Sequence, residues 1–263
     1  ERAGGSVSES PSLPDALLQL PRPLLLAFDV DGTLSPIVRN PDEAVIPKST
    51  MDTLRGLQRL PSVELALITG RDLASLRRME QLEGIWRAVE HGGVVLAPGQ
   101  APEERELAPS QREALDRFTD WVGQHANDAF VEYKPQAVAL HVRGIAERDP
   151  ERAEHLLEEA DALAAELGLH IRRGKALREA EAVTHDKGSA LEEIAQRSGA
   201  ASVFFVGDDL TDFPAVDFAV ERGIGAFVRS DEQRGTPSSS ALVLDGVDEL
   251  ASALRELLSR MTP

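Results

Sequence analysis

The sequence contains no cysteine among its 263 residues, and aromatic side chains make up only 4% of it. Without cysteine the chain has no disulfide, no thiolate nucleophile and no cysteine-bound zinc. It also lacks an apolar run near the roughly 20 residues that a membrane-spanning helix needs, and its first residues lack the pattern of a secretory signal. We therefore expect a cytoplasmic protein that has no contact with membranes.

Positive charge is scarce as well. The 28 lysine and arginine residues face 45 aspartate and glutamate residues, which gives a net charge of −17. Such a balance disfavours binding to nucleic acid or to an anionic membrane surface. Because charges are screened beyond about 8 Å at physiological salt, an anionic ligand would need a local basic pocket or a bound cation. A small molecule is the expected partner, and a monomer is the simplest expectation.

The chain is long enough for a large buried core, and 42% of it is hydrophobic. Its polar, Gly/Ser/Pro-rich start predicts a flexible lead-in over 1–21, with a short helical turn near its end. Apolar runs alternate with segments of helical period over 22–97 and again over 183–263, which predicts a parallel sheet with crossover helices. Closely spaced strands and two helices over 98–182 predict an inserted α+β cap. The expected class is thus α/β, with a Rossmann-like core interrupted by a cap.

Two aspartates follow the first apolar run, in the stretch LLLAFDVDGT that begins at Leu24. Side chains two residues apart in an extended chain share a face, so Asp29 and Asp31 can converge on one point, and Gly32 lets the chain turn away. In open α/β sheets, ligands bind outside the carboxyl ends of the strands. Two carboxylates so close repel each other unless a cation lies between them or one is protonated. This pair marks the predicted active edge of the sheet.

A second group of carboxylates follows another apolar run, in the stretch GDDLTD. It comprises Asp208, Asp209 and Asp212. Carboxylates from separate strands, with a backbone carbonyl and waters, form the oxygen-rich environment that magnesium prefers. A single aspartate at a strand end often only caps a helix, but two clusters in one sheet favour a metal site.

Candidate phosphate-binding groups come from two further segments. Thr69 and Gly70 end the apolar run VELALI, where a hydroxyl and backbone N–H groups at a helix N-terminus would hold an anion. Thr69 could instead serve only as the cap of the following helix. Lys187 opens a segment of helical period and is one of four lysines in a chain with 24 arginines. Its compact ammonium suits a phosphate group as a point charge.

These motifs, in this order, resemble those of the haloacid-dehalogenase-like (HAD-like) phosphatases. They are DVDGT at 29–33, ITGR at 68–71, Lys187 and GDDLTD at 207–212. The resemblance implies a HAD-like core. It further implies that the first aspartate of DVDGT, Asp29, is the nucleophile, which forms an aspartyl phosphate, and that the second, Asp31, is the general acid and base.

The same resemblance implies a magnesium ion and a phosphate site. Mg²⁺ would be held by Asp29, the backbone carbonyl of Asp31, and Asp208. The neighbouring Asp209 and Asp212 would support these ligands. The residues implied to bind the phosphoryl oxygens are Thr69, Gly70 and Lys187.

Several segments narrow the resemblance to the trehalose-6-phosphate phosphatases: DGTLSPIVRNPDEA, GIWRAVEHGG, VEYKPQAVALHVRG, and GKALREAEAV followed by DKG. This likeness implies magnesium-dependent hydrolysis of trehalose 6-phosphate to trehalose and phosphate. The cap would then recognise the sugar, because the core contacts mainly the phosphate. The implied substrate-binding residues are Lys134, His141, Arg143 and Glu179 in the cap, with His91 and Gly92 at the edge of the core.

The cap residues also have ordinary structural explanations. Lys134 and Arg143 can be solvated strand residues, and His141 a hydrogen-bonded histidine of a sheet. Glu179 can be an exposed partner of Arg178.

Two positions depart from the family pattern and leave alternatives open. Val94 stands where the family usually has an acidic residue, and Glu181 where it usually has a basic one. Loss of a hydrogen-bonding group at a sugar site changes selectivity strongly. The alternatives are a phosphatase of another glycosyl phosphate, of the sucrose, glucosylglycerol or cyclitol pseudo-disaccharide type, and a catalytically silent sugar-phosphate-binding module. A receiver-type phosphorylation switch is disfavoured, because such domains are near half this length and have no cap.

Overall fold

The structure, a computed structural model, describes residues 12–101, 107–134, 136–174, 176–229 and 240–262. Its strands are β1 (Leu24–Phe28), β2 (Val63–Ile68), β3 (Trp86–Val89), β4 (Val94–Leu96), β5 (Phe130–Tyr133), β6 (Ala137–His141), β7 (His170–Gly174), β8 (Leu177–Glu181), β9 (Ser202–Gly207), β10 (Gly223–Val228) and β11 (Leu242–Leu244). Its helices are α1 (Leu13–Leu18), α2 (Lys48–Gln58), α3 (Leu73–Met79), α4 (Pro109–His125), α5 (Arg143–Ala146), α6 (Pro150–Leu167), α7 (Lys187–Ser198), α8 (Phe213–Arg222) and α9 (Val247–Met261). No helix within the described residues combines the length and apolarity that a bilayer crossing demands.

The chain divides into two compact units. The division falls after residue 102 and after residue 184, close to the limits of 98 and 182 predicted for the inserted segment. The first unit therefore contains the described residues up to 101 and from 185 onward, and the second contains those in between.

The first unit is built on a seven-stranded sheet of order β11-β10-β9-β1-β2-β3-β4 within the described residues. Its strands are parallel except for β4, a three-residue antiparallel edge strand that the sequence pattern did not reveal. From the central strand β1 the chain moves outward through β2 and β3 on one side, and through β9, β10 and β11 on the other. The strand order reverses at β1, so the carboxyl ends of β1, β2 and β9 surround the position where such sheets bind ligands.

The continuous apolar run of β1 reflects burial on both faces of this sheet, since all five residues are buried. Leu24, Leu26 and Phe28 join the cluster that contains α2 and α9. Leu25 and Ala27 point the other way and join the cluster that contains α7 and α8. A strand covered on both faces has no polar positions along its length, and this is why its polar residues appear only where it ends.

The second unit is an antiparallel sheet of order β5-β6-β8-β7 with helices packed on one face. Val138 and Leu140 of β6 and Ala180 of β8 pack on this face, in a core with Phe118 of α4 and Leu156 of α6. Side chains alternate across a strand, so the other face carries the intervening residues, among them Glu179, Glu181 and Arg172. The predicted combination of helices and closely spaced strands is present here.

The helical turn predicted near the end of the lead-in over 1–21 is present as α1, but this part of the lead-in is packed on the core rather than flexible. Residues 1–11 lie outside the described residues, but α1 follows at once. The hydroxyl of Ser12 accepts a hydrogen bond from the first turn of this helix, and Leu13 and Leu17 are buried in the cluster that contains α9. Composition favoured disorder here, whereas two leucines four residues apart on one helical face make tertiary packing possible.

Leu17→Ala should lower the free energy of unfolding by about 2–4 kcal/mol, because it leaves a cavity beneath a helix that packs on the core. The matched control is Gln19→Ala at an exposed position near the end of the same helix, which should change the value by less than about 0.5 kcal/mol. Urea denaturation followed by circular dichroism measures both. Equal effects in the two variants would show that α1 does not pack on the core in solution.

Candidate active site

A cavity of about 620 Å³ opens at the carboxyl ends of β1, β2 and β9 and is lined wholly by residues of the first unit. Gly92 lies outside this lining. The predicted core residues that line it are Asp29, Asp31, Thr69, Gly70, His91, Lys187, Asp208, Asp209 and Asp212. The lining also includes residues for which no role was predicted, among them Ile37, Val38, Asp42, Arg71, Asp72, Ser75 and Thr211.

Lys187 lies between two buried carboxylates at the bottom of the cavity. Its Nζ is 2.6 Å from an oxygen of Asp29 and 2.6 Å from an oxygen of Asp212. Asp29 extends β1 by one backbone hydrogen bond to Val206 of β9. Lys187 is the first residue of α7, which begins there because the side chain of Asp186 caps the helix. Three distant segments of the chain therefore meet at one ammonium group.

Burial shapes the protonation of these groups. It raises the pKa of Asp29 well above its ordinary value, against the opposing effect of the Lys187 charge. Burial and the charge of Asp212 raise the pKa of Asp208 to about 7. Burial acts to lower the pKa of Lys187, but the charges of Asp29 and Asp212 outweigh it and raise this pKa. The site is short of positive charge, since several carboxylates share a single buried lysine.

Asp212 also shapes the loop after β9. Its second oxygen accepts hydrogen bonds from the backbone N–H groups of Asp208 and Asp209, each at 3.0 Å. Asp209 is exposed, and its side chain accepts from the backbone N–H of Leu210 at 2.7 Å. All three carboxylates of GDDLTD line the cavity, but their contacts differ. Asp212 accepts hydrogen bonds from the backbone of the loop, and Asp209 caps the turn that follows it.

The arrangement fits a divalent cation with oxygen ligands. Asp29, Asp208 and Asp212 each offer a carboxylate oxygen, and these oxygens lie within 4.8 Å of one another. Gly32 makes room for the cluster, because it has a φ of 78° and a Cβ there would overlap the carboxylate of Asp208. Clustered carboxylate oxygens are the ligand type that Mg²⁺ prefers, so this donor set fits the predicted ion.

The segment after β2 differs from the prediction in one respect. The hydroxyl of Thr69 is buried and accepts a hydrogen bond from the backbone N–H of Arg71 at 3.2 Å. Helix α3 begins only after Asp72, whose carboxylate caps it by accepting from the backbone N–H of Ser75 at 2.8 Å. Thr69 and Gly70 therefore belong to a loop before the helix. The prediction that a helix begins at these residues is wrong, and so is the alternative that Thr69 caps the helix. Both residues still line the cavity.

His91 and Gly92 lie in a tight turn beside this loop. Glu90 and His91 have φ values of 54° and 56°, a left-handed conformation that is costly for residues with a Cβ. The His91 ring packs directly on Gly70. Gly92, with a φ of 98°, approaches the backbone of Asp186 so closely that a Cβ would overlap it. The strained turn thus joins the loop after β2 to the start of α7.

Arg71 is the basic residue among the lining residues for which the sequence analysis predicted no role. Its Nε and Nη2 donate to the two oxygens of Asp31 at 2.6 and 2.7 Å, so the pair is bidentate. The hydrogen bond with Asp31 raises the pKa of Arg71. The residue stands in the motif ITGR, but its partner lies 40 positions away along the chain, and only the adjacent ends of β1 and β2 bring the two together.

In the second unit, Lys134 and Glu179 form an ion pair at 2.6 Å. Glu179 is therefore not a partner of Arg178, whose Nε instead donates to Asp161 at 2.7 Å. Glu179 lies opposite Ala139 in the sheet, on the face away from the helices. Its carboxylate lies on that face beside the ammonium of Lys134 and is largely buried.

His141 and Arg143 line a separate hollow of about 420 Å³ in the second unit, together with Phe130. The His141 ring centre lies 5.3 Å from that of Phe130, and its Nε2 is 3.8 Å from a carboxylate oxygen of Glu132. Among the described residues this nitrogen has no hydrogen-bond partner, contrary to a fully hydrogen-bonded sheet histidine. Arg143 begins the short helix α5 rather than ending a strand.

The two positions that depart from the family pattern, Val94 and Glu181, each contact neighbouring residues of their own unit. Val94 lies in the edge strand β4 and packs, half-buried, against the core of the first unit. Glu181 ends β8 and pairs with Arg172 of β7 at 2.8 Å. Burial raises the pKa of Glu181, and the charge of Arg172 opposes that effect. The acidic side chain at position 181 thus has a cation of its own on the neighbouring strand.

Comparisons with known proteins identify relatives of the whole fold. A family model described as trehalose-phosphatase matches residues 27–248. The chain is 31% identical to the trehalose-phosphate phosphatase of Mycobacterium marinum, over 95% of this chain and 67% of that protein. It is 32% identical to an uncharacterized glycosyl hydrolase of Mycobacterium tuberculosis, over 89% of this chain and 19% of that protein. The chain thus spans about a fifth of the length of this second relative.

Solved structures show the same architecture. The Aspergillus fumigatus trehalose-6-phosphate phosphatase aligns with a TM-score of 0.71 at 24% identity, over 91% of this chain and 93% of that chain. BT1666 from Bacteroides thetaiotaomicron, a phosphatase of the HAD superfamily, aligns with a TM-score of 0.59 at 17% identity, over 89% of this chain and 94% of that chain. The predicted α/β fold of HAD type is confirmed.

Lys187→Met should lower the free energy of unfolding by about 3 kcal/mol or more near neutral pH without divalent cations, because it leaves buried carboxylates unpaired. The loss should shrink as the pH falls, because Asp208 takes up a proton; its pKa is about 7 beside Lys187, whose charge lowers it, and is higher without that charge. Asp29, whose pKa is also raised, acts in the same direction, since a protonated carboxyl no longer needs the lysine.

The matched control is Lys48→Met, at an exposed position, which should change the free energy of unfolding by less than about 0.5 kcal/mol. Denaturation series at several pH values measure both variants. A loss for Lys187→Met that is independent of pH would contradict the charge balance described here.

Proposed function

The chain belongs to the trehalose-phosphatase family, and from that premise we propose that it is a magnesium-dependent phosphatase that hydrolyses trehalose 6-phosphate to trehalose and phosphate. The observation that carries this proposal is the cavity at the end of β1. There, residues of DVDGT, ITGR and GDDLTD line the same space as Lys187.

We assign the covalent chemistry to the two aspartates after β1. An oxygen of Asp29 attacks the phosphorus, and the bond from phosphorus to the sugar oxygen breaks as the aspartyl phosphate forms. Asp31 gives a proton to the leaving sugar oxygen and later takes one from the water that hydrolyses the aspartyl phosphate. The contrast in surroundings supports this division: the Asp29 side chain is 5% exposed and that of Asp31 is 39% exposed.

Phosphate binding falls to Thr69, Gly70 and Lys187. All three line the cavity beside Asp29. The ammonium of Lys187 can compensate negative charge that builds up on the phosphoryl oxygens, which is the main contribution of a protein to phosphoryl transfer.

The charge of the cavity favours a metal ion. Its described lining includes two permanent cations, Arg71 and Lys187, against the carboxylates of Asp29, Asp31, Asp42, Asp72, Asp208, Asp209 and Asp212. A phosphate ester is repelled by such a lining unless further positive charge is present.

We assign this charge to Mg²⁺, held by Asp29, the backbone carbonyl of Asp31, and Asp208, with Asp209 and Asp212 in support. When bound, the ion neutralises phosphoryl oxygens as a Lewis acid.

Recognition of the sugar is assigned to side chains of the second unit, with His91 and Gly92 of the first. Lys134 and Glu179 supply a donor and an acceptor on the face of the sheet that carries no helices. His141 and Arg143 supply further polar groups at the hollow beside Phe130. Neutral hydroxyl groups bind well to such mixed sets of donors and acceptors.

A phosphatase for a different glycosyl phosphate is the second candidate function. Glu181 favours it, because it is an acidic residue where the family resemblance implies a basic one, and Arg172 holds it in place at 2.8 Å. A receiver-type switch fits less well, since the carboxylate of Asp31 offers the proton transfer that turnover requires. A silent binding module fits less well for the same reason.

Phosphate release from a panel of sugar phosphates tests the proposal. The panel contains trehalose 6-phosphate, sucrose 6-phosphate, glucose 6-phosphate and glucosylglycerol phosphate, each with and without Mg²⁺. We expect magnesium-dependent release at least about tenfold faster from trehalose 6-phosphate, a preference of about 1.4 kcal/mol in the transition state. Asp29→Asn should abolish release while the protein remains folded by circular dichroism.

The outcomes separate the candidates. Faster release from another sugar phosphate would retain the chemistry and support the second candidate function. Absence of release from every substrate would support the silent module, and near wild-type rates in Asp29→Asn would refute the assigned nucleophile.

Glu179→Ala should reduce kcat/KM for trehalose 6-phosphate on the order of 100-fold, because a site that loses a hydrogen-bonding group discriminates poorly. The value for p-nitrophenyl phosphate should change less than about threefold, since this substrate has no sugar. Glu166→Ala, at an exposed ion pair on α6, is the matched control and should leave both substrates unaffected. Equal losses on the two substrates would argue against a role of Glu179 in sugar binding.

A further inference from the structure

We propose that Arg71 is a positioning residue that holds the carboxylate of Asp31 in the orientation needed for proton transfer. This inference rests on the proposed function, because it concerns the general acid and base of the same reaction. It starts from the bidentate pair, in which two nitrogens of one guanidinium contact two oxygens of one carboxylate at 2.6 and 2.7 Å. A planar fork of this kind fixes orientation, which a single point charge does not.

The backbone of Arg71 is held on both sides. Its N–H donates to the hydroxyl of Thr69 at 3.2 Å, and its carbonyl accepts from the backbone N–H of Glu90 at 2.9 Å. The Arg71 side chain is 12% exposed, so neighbouring atoms restrict it. The guanidinium is therefore presented from a rigid support rather than from a mobile surface side chain.

The carboxylate of Asp31 is the less restricted partner. Its backbone is fixed because the next residue, Gly32, donates to the carbonyl of Ser35 at 2.7 Å. Its side chain is 39% exposed and lines the cavity. Removal of Arg71 would take away both of the hydrogen bonds described here for this side chain and leave it freer to rotate in the cavity.

The pair also separates the roles of the two aspartates after β1. Asp29 is bound to the buried Lys187, whereas Asp31 is bound to Arg71 near the opening of the cavity. Each carboxylate therefore has its own cation, although the two stand only two residues apart. In the bidentate pair, each oxygen of Asp31 accepts one hydrogen bond from Arg71 and keeps a second lone pair. Asp31 can therefore still exchange a proton with a group in the cavity.

Arg71→Met should therefore affect substrates according to their need for a proton. In a mechanism with an aspartyl phosphate, kcat/KM covers the steps up to release of the leaving group. A sugar oxygen leaves poorly as an anion, so kcat/KM for the sugar phosphate that the wild-type enzyme prefers should fall on the order of 10- to 100-fold. Nitrophenolate leaves readily without a proton, so kcat/KM for p-nitrophenyl phosphate should change less than about threefold.

Two further variants distinguish positioning from other roles. Arg71→Lys keeps the charge but loses the fork, so it should remain impaired on the sugar phosphate. In an Asp31→Ala background, Arg71→Met should change kcat/KM for the sugar phosphate less than about twofold, because no carboxylate remains to be oriented. The matched control is Arg78→Met, which removes an exposed ion pair with Asp42 in the same region and should leave both substrates unaffected.

The outcomes are separable, with thermal unfolding midpoints used to confirm that every variant is folded. Equal losses on both substrates in an active enzyme, or additive losses in the Asp31→Ala background, would mean that Arg71 binds the phosphate itself and would overturn this inference alone. Full activity of Arg71→Lys would overturn it as well. An inactive wild-type protein would overturn the proposed function, and this inference with it.

Discussion

The position of Lys187 between Asp29 and Asp212 is the interaction on which the rest of the site depends. A buried ammonium is stable only if carboxylates surround it, and each of those carboxylates is stable only if the ammonium is present. The three residues come from the end of β1, the start of α7 and the loop after β9. This mutual requirement fixes the relative positions of segments that are up to 158 residues apart along the chain.

The two aspartates after β1 occupy different environments although only one residue separates them. Asp29 lies beneath the cavity beside Lys187, where burial raises its pKa well above the ordinary value. Asp31 lies near the opening, in a bidentate pair with Arg71. Two carboxylates in contrasting environments can perform two different chemical tasks. In this chain burial sets Asp29 apart from Asp31, and the two cations come from different segments, Lys187 from the start of α7 and Arg71 from the loop after β2.

The sequence pattern predicted those features of the site that depend on neighbouring residues in the chain. The apolar run of β1 and the carboxylates that follow it are visible in sequence, because a strand buried on both faces admits polar residues only at its end. The partner of Arg71 was not predictable, since it depends on the adjacency of β1 and β2. Thr69 shows the same limit: two possible helix starts lie close together, and only the capping contact of Asp72 identifies the one used.

Two ion pairs lie on the helix-free face of the sheet in the second unit. On the open face of its sheet, Glu179 pairs with Lys134 and Glu181 pairs with Arg172. Each cation is more than 40% exposed, but the carboxylates of Glu179 and Glu181 are only 11% and 13% exposed, so loss of the cation without a replacement would leave a largely buried carboxylate unpaired, which is costly. A hydroxyl group both donates and accepts hydrogen bonds, so it can replace either partner of such a pair. Arg172 of β7, the partner of Glu181, lies opposite Glu179 in the sheet. The proposed sugar-binding face therefore carries two acidic side chains, whereas a basic residue at position 181 would leave one.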